Sequence, residues 1–405
     1  MKKLLNIEYA SIHASYWMFY GIISSFASVF LLARGYSNWE IGVILAVANV
    51  LAVALQPLTA DFADRSKRLS LIGITQLLTI FMMILTVGLF ALQGKTLALA
   101  LIFMLLIAWH TVLHPLFNSL NFKLQESGIH INFGVARSMG SLAYAALVAV
   151  LGTLVELHGV SILPLCGEVI LLMLLFSLVL TKRHFQQASQ SRMLEASKKA
   201  PEKEQRLSDD GQEINLIQFI QRNKVFFIIN IGVIGLYFSN SILNNYMMQI
   251  VDYVGGTSED MGRILSLMAA LEIPTLVFFN RIRQKLSYPL MLKIASIGYT
   301  VKIAMCFLAK SVTMIFAAQF LQLVSFALFL PAMIHYINEI MSRGEAIKGQ
   351  ALFTTMVTIT TVFSSLAGGW ILDMGGAKTL TLVSTLITAA GAAVVIIAVE
   401  RMPKK

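Results

Sequence analysis

The chain has 405 residues, 57% of them hydrophobic and only 13% charged, with a net charge of +10. An ordinary soluble domain carries roughly 25% charge, so this composition excludes a soluble enzyme and points into lipid. Nucleic-acid binding is not expected from the positive balance, because the basic residues fall where membrane insertion would place them.

A bilayer core about 30 Å thick takes about 20 apolar residues per helix. Runs of that kind predict twelve spans: 9–33, 41–60, 69–92, 96–119, 134–156, 160–181, 224–250, 262–279, 288–309, 311–338, 350–372 and 378–399. The start, MKKLLNIEYASIHASYWMFYG, is basic but shows no small-residue cleavage site after its apolar stretch, so it is expected to remain as the first helix. Lys2, Lys3, Arg65, Lys67, Arg68, Lys123, the basic run from Lys182 to Lys224, Arg281, Arg283, Lys285, Arg343, Lys348, Arg401, Lys404 and Lys405 all fall on one side. The opposite segments carry little beyond Arg34, Lys95, Lys310 and Lys378. The positive-inside rule makes the first side cytoplasmic, with both termini there and the chain a multi-pass protein of the cell's inner (cytoplasmic) membrane. Cys166 and Cys306 lie inside apolar spans, which predicts packing rather than a disulfide or a cysteine metal site.

Between the sixth and seventh spans, residues 182–221 mix charges, carry a proline and keep no apolar period. They are expected to form a cytoplasmic linker between an N-terminal six-helix bundle, 1–181, and a C-terminal one, 222–405. The LIQFIQ end of the linker predicts a short amphipathic helix at the membrane surface. The halves repeat each other: Glu40-Ile41-Gly42-Val43-Ile44-Leu45 matches Asp260-Met261-Gly262-Arg263-Ile264-Leu265, and each is followed by a basic turn, DRSKR (64–68) and RIRQK (281–285). Parallel six-helix repeats are the mark of one large class of transporters.

Four segments carry a closer likeness: YWMF (16–19), LQPLTADFADR (55–65), FGVARSMGS (133–141) and GQALFTTMVTITTVFSSLAGGWILD (349–373). With them the chain resembles, over nearly its whole length, the major facilitator superfamily, and within it the lactose permease-like oligosaccharide and proton symporters and the phenylpropionate permeases. The resemblance implies an all-α polytopic membrane protein, twelve transmembrane helices in two pseudo-symmetric six-helix bundles, working as a monomer. ADFADRSKR stands where that superfamily has a Gly-x-x-x-Asp-Arg loop, with Ala60 in the glycine place and a shorter loop. Asp64 and Arg65 are therefore expected to gate as a charged latch between helix ends, or to serve as a topology signal only.

Ionisable groups at a helix centre cost at least about 2.5–3.5 kcal/mol, so each is a functional candidate. Arg137, Glu168, Glu272, Lys302, His110 and His114 are such groups here. Arg137 and Tyr144, seven residues apart, share a helix face. The resemblance implies a sugar-binding arginine and a stacking aromatic there; the alternative is an arginine that snorkels beside a packing tyrosine. The resemblance also places Asn118 where the permeases carry a sugar-binding glutamate, Gln322 and Ser325 where they carry a coupling histidine and glutamate, and Lys302 where they carry an arginine. These departures point away from lactose itself. Glu272, in ALEIPT, is the expected proton-coupling carboxylate, working against Lys302, with a static Glu272–Lys302 ion pair as the alternative and Glu168 as second choice. His110 and His114, one turn apart, suit a proton relay or hydrogen bonding from a cavity wall, with His114 the coupling candidate, and a metal pair is the other use of that spacing. Asn240, Asn244, Asn245, Gln319 and Gln322 supply a neutral polar lining for substrate, and Tyr16, with Trp17 and Tyr20, either lines the cavity or packs.

These features predict a secondary active transporter that imports a small polar organic solute, sugar- or glycoside-like, together with protons. The competing readings are an efflux antiporter, whose proline-rich fifth-helix motif is missing, and a transport-inactive membrane sensor of the same fold. No P-loop, nucleophile elbow or zinc helix occurs, so neither an enzyme nor a cofactor is expected.

Overall fold

The computed structural model describes residues 2–66, 69–126, 129, 131–196, 219 and 222–400. Among the described residues every regular element is helical. In chain order they are α1 (Lys2–Tyr20), α2 (Ala27–Ala33), α3 (Asn38–Arg65), α4 (Leu71–Ala91), α5 (Leu97–Glu126), α6 (Phe133–His158), α7 (Ile162–Ala196), α8 (Lys224–Asn245), α9 (Met247–Tyr253), α10 (Ser258–Lys285), α11 (Tyr288–Leu308), α12 (Val312–Ala318), α13 (Phe326–Ile340) and α14 (Arg343–Glu400). Among the described residues ten helices are long and apolar enough to cross a membrane, or eleven when the bent pair at the start counts as one crossing. The last apolar stretch, Glu345–Val399, has 55 residues. At 1.5 Å per residue it is about 80 Å long, far more than one crossing needs. It breaks at Gly376, whose φ of 69° and ψ of −177° leave the helical region, and the expected eleventh and twelfth spans lie on either side of that break.

Three predicted spans are not single helices. The first runs from α1 through a π-helical turn, Gly21–Ser25, into α2, with a bend of 43°. The seventh is interrupted at Tyr246, between α8 and α9. The tenth passes from α12 through a 3₁₀ turn, Gln319–Leu323, and a non-helical Ser325 before α13 begins. Such interruptions free backbone groups that lipid cannot satisfy, so the protein must supply partners. Thr275 Oγ1 donates to Leu323 O at 3.0 Å. Likewise Pro115 in α5 has no N–H to offer the carbonyl four residues back, and Gln56 Nε2 donates to that carbonyl, Thr111 O, at 3.4 Å.

Helix α7 continues to Ala196, so the expected linker begins as helix. The rest of the linker, LIQFIQ included apart from buried Phe219, lies outside the described residues.

Packing divides the chain into two compact units interleaved in sequence. One holds Met1–Ile23, Leu51–Tyr144 and Leu163–Gln212; the other holds Ser24–Val50, Ala145–Ile162 and Glu213–Lys405. The first unit is built from α1, α4, α5 and α7 with parts of α3 and α6. The second joins the later helices to the start of α3 and the end of α6. Its core includes Phe226, Leu236, Tyr237, Tyr299, Phe329 and Tyr336. There Gly232, Gly235 and Gly391 let α8 and α14 touch backbone to backbone, since a Cβ on Gly391 would lie 2.6 Å from Gly232 O.

Candidate functional site

In the first unit, α1, α5 and α6 assemble an aromatic, histidine and arginine cluster. On α5, His110, His114 and Asn118 follow one another at i, i+4 and i+8, so they share a face. Tyr16 stacks on His110 with ring centres 4.0 Å apart, and His110 Nε2 donates to Tyr16 O at 3.0 Å. Tyr16 is also 5.4 Å from the His114 ring. It is buried between these rings. Trp17 and Tyr20, the latter one turn on from Tyr16, lie 6.0 Å from the His114 ring and 6.1 Å from the His110 ring of α5, and both also reach toward α6.

There the Arg137 guanidinium lies over Trp17, 4.2 Å from the ring centroid, while its Nη1 donates to Ser141 Oγ at 3.1 Å. Tyr144 sets its ring 6.0 Å from Tyr20. Arg137, Ser141 and Tyr144 thus form the single face that their spacing predicts, and α1 supplies its opposite wall. Gly140 permits this approach, because a Cβ there would lie 2.5 Å from Trp17 Cδ1 and 3.1 Å from His13 O. Several polar atoms of this cluster, Trp17 Nε1, Asn118 Oδ1 and both ring nitrogens of His13, are buried with no hydrogen-bond partner among the described residues. Buried polar atoms of that kind are what a polar solute can satisfy.

In the second unit, Lys302 on α11 is 2% exposed. Its Nζ donates to Gln322 Oε1 at 2.5 Å, and Gln322 Nε2 donates to Glu272 Oε1 at 2.9 Å. Gln322, expected to touch substrate, therefore bridges the two groups expected to couple protons. It occupies the 3₁₀ turn, and irregular turns within helices recur at functional sites. Tyr237 and Tyr299, buried with rings 6.2 Å apart, lie within electrostatic reach of Glu272.

Asn244 donates along its own helix to Asn240 O, and Asn245 donates to Ser365 Oγ at 3.0 Å. Glu168 faces a groove of about 440 Å³ walled by Ile80, Met83, Ile84, Val87 and Leu175. Asp64 and Arg65 are exposed at the end of α3, where Arg65 Nε pairs with Asp61 Oδ1 at 2.6 Å, one turn back on the same helix. Among the described residues no group of three or more His, Cys, Asp or Glu is placed to hold a metal ion.

Trp17 carried no sequence signal for its pairing with Arg137, beyond its place in YWMF (16–19) as a residue that lines or packs. Neither did Glu156 and Asp373, which accept hydrogen bonds at two helix starts. The capping boxes at those starts, Ser37 with Glu40 and Thr257 with Asp260, are readable in the sequence.

Comparison with known proteins fits this architecture. The nucleoside transporter NupG superposes with a TM-score of 0.75 at 14% identity, covering 98% of this chain and 98% of that one. An auto-inhibited POT family peptide transporter gives 0.72 at 9% identity over 99% and 97%. A bacterial homologue of the human lysosomal transporter Spinster gives 0.66 at 14% over 99% and 97%. At such identities these likenesses establish the fold alone, an all-α helical bundle shared over nearly the whole chain. Among curated sequences, the uncharacterized transporter YwbF of Bacillus subtilis (strain 168) is 25% identical over 170 residues, so the match spans 43% of that relative and 42% of this chain. The MFS_1-like family profile matches residues 9–383, and with nearly the whole chain covered this multi-pass membrane protein belongs to the MFS_1-like family.

Proposed function

We propose that the protein is a proton-coupled secondary transporter that imports a small polyhydroxylated organic solute through the membrane by alternating access. The reading takes the chain as twelve crossings in two halves, 1–181 and 222–405, joined by the linker 182–221, acting as a monomer with both termini in the cytoplasm.

The observation that carries it is the hydrogen-bonded chain Lys302–Gln322–Glu272 inside a membrane-spanning unit. A buried ammonium held to a carboxylate through one neutral amide is costly to build inside a membrane, which makes the group a functional candidate by default. Protonating Glu272 removes the negative end of that chain, and losing the proton restores it. The second support is the Arg137 cluster. A guanidinium offers forked donors to hydroxyls, and the flat rings of Trp17, Tyr20 and Tyr144 suit a sugar or base face. Nucleosides, which the fold relative NupG transports, combine hydroxyls and a flat ring and belong in the solute panel beside sugars and glycosides.

Purified protein in liposomes with an imposed pH gradient tests this. Uptake of at least one labelled sugar, glycoside or nucleoside should accumulate with the gradient, and Glu272→Gln should abolish accumulation while leaving solute exchange. Accumulation that ignores the gradient in the wild-type protein would sink proton coupling.

A further inference from the structure

The second unit contains two closed helix seams that are copies of each other. At the first, α3 begins with the capping pair Ser37 and Glu40, and the Asp373 carboxylate accepts from Asn38 N at 3.1 Å, Asn38 Nδ2 at 2.9 Å and Trp39 N at 2.8 Å. At the second, 220 positions later, α10 begins with the capping pair Thr257 and Asp260, and the Glu156 carboxylate accepts from Ser258 N at 2.8 Å. Glycines repeat the correspondence. Gly42 abuts Ser365 O as Gly262 abuts Val148 O, and Gly369 abuts Asn38 O as Gly152 abuts Ser258 O. Each carboxylate also stands three residues before a glycine of positive φ, Gly376 at 69° and Gly159 at 73°, which ends its helix.

Physically, each seam sets an anion against a helix N-terminus, whose first N–H groups lack partners in the helix and whose dipole attracts negative charge. Glycines on both sides bring the backbones close enough for the carboxylate to reach. Around the first seam Gln249 Nε2 donates to Asn38 Oδ1 at 2.9 Å, and the Tyr246 hydroxyl donates to Ser365 O. Helices α3 and α10 each begin after an odd number of crossings, the first and the seventh of the predicted spans, so both seams lie on one side of the membrane. Neither carboxylate belongs to the solute or coupling clusters.

We infer that Glu156 and Asp373 are a matched pair of positioning residues whose carboxylates hold this side of the transporter shut, and that the two seams part together when it opens. The inference rests on alternating access alone, not on the coupling ion or the solute. A glycine seam without charge would give contact but little pull. The carboxylates add an attraction at each helix start that is lost once the seam widens by an ångström or two.

The test uses the full chain, purified in detergent, with Cys166 and Cys306 replaced by serine and one reporter cysteine per sample. S365C reports the first seam and S258C the second, both positions being buried. Labelling by N-ethylmaleimide is timed in each background, with thermal unfolding recorded alongside. D373N should speed labelling roughly fivefold at the S365C reporter and also at the S258C reporter in the other seam, and E156Q should do the same in reverse, as expected for a charge removed from a helix N-terminus. Acceleration confined to the altered seam would mean that each carboxylate only caps its own helix, and no acceleration at either reporter would mean that the charges hold nothing shut. Either result overturns the inference while leaving proton-coupled uptake untouched. If D373N does not fold, E156Q read at the S365C reporter decides alone.

Discussion

The ammonium of Lys302 sits 2.5 Å from Gln322 Oε1, and the other end of that amide donates to Glu272 Oε1 at 2.9 Å. An amide can accept from a cation through its oxygen and donate to an anion through its nitrogen at once. Gln322→Leu should therefore strip a partner from both charges and destabilise the protein by about 2–3 kcal/mol, the cost of leaving hydrogen-bonding groups buried without partners. Thermal unfolding of the purified protein measures it. Glu272→Gln with Lys302→Met should cost less together than the sum of the two single changes, because the pair leaves no uncompensated charge. Strict additivity would mean that the chain is not a coupled unit.

Arg137 and Trp17 make the second testable contact. A guanidinium 4.2 Å from a ring centroid combines charge attraction with flat stacking, which an ammonium cannot copy. Arg137→Lys should lower stability by about 1 kcal/mol even though charge is kept, and Trp17→Leu should remove most of that difference between Arg and Lys. A double-mutant cycle on unfolding checks the coupling. A zero coupling term would leave Arg137 a snorkelling cation.

Much of the architecture is legible in the sequence, since the spans are apolar runs about as long as a bilayer is thick, and the 40–45 and 260–265 repeat reappears as two like-capped helix starts. The helix interruptions at 21–25, 246 and 319–325 are not legible, because a π or 3₁₀ turn keeps the same apolar composition as the helix around it. Side-chain faces within one helix follow from spacing, which is why Arg137 and Tyr144 share a face. Partners across helices do not follow from it. Trp17 for Arg137 and Gln322 for Lys302 depend on how one helix packs against another. Arg65 shows the local version: neighbouring Asp64 is turned about 100° away on the helix, while Asp61 at i−4 lies directly below.

Gly140 fixes how closely α1 and α6 approach. A Cβ there would meet the Trp17 ring at 2.5 Å and the His13 carbonyl at 3.1 Å, one a large indole and the other backbone, so neither yields easily. Gly140→Ala should cost about 1–3 kcal/mol as overpacking and should move the Trp17 indole off Arg137. Intrinsic fluorescence with the other tryptophans replaced would report that displacement as a spectral shift. An unshifted spectrum at full stability would show that the helices have room to part.

The break in the tenth span gives the last prediction. Beyond the 3₁₀ turn the chain leaves helical geometry at Ser325, with φ −95° and ψ −104°, and Thr275 Oγ1 donates to Leu323 O at 3.0 Å just before it. Thr275→Val keeps the shape and removes the donor, leaving a carbonyl at an interrupted stretch of helix with less than its share of hydrogen bonds. The expected loss is about 1–2 kcal/mol. Thr360→Val is the control: its hydroxyl donates to Met356 O at 2.7 Å within the uninterrupted part of α14, where that carbonyl also has a helical N–H partner. Near-zero loss there, set against a measurable loss at Thr275, would tie the effect to the break that holds Gln322 between Lys302 and Glu272. Equal losses would mean that a buried hydroxyl alone accounts for both.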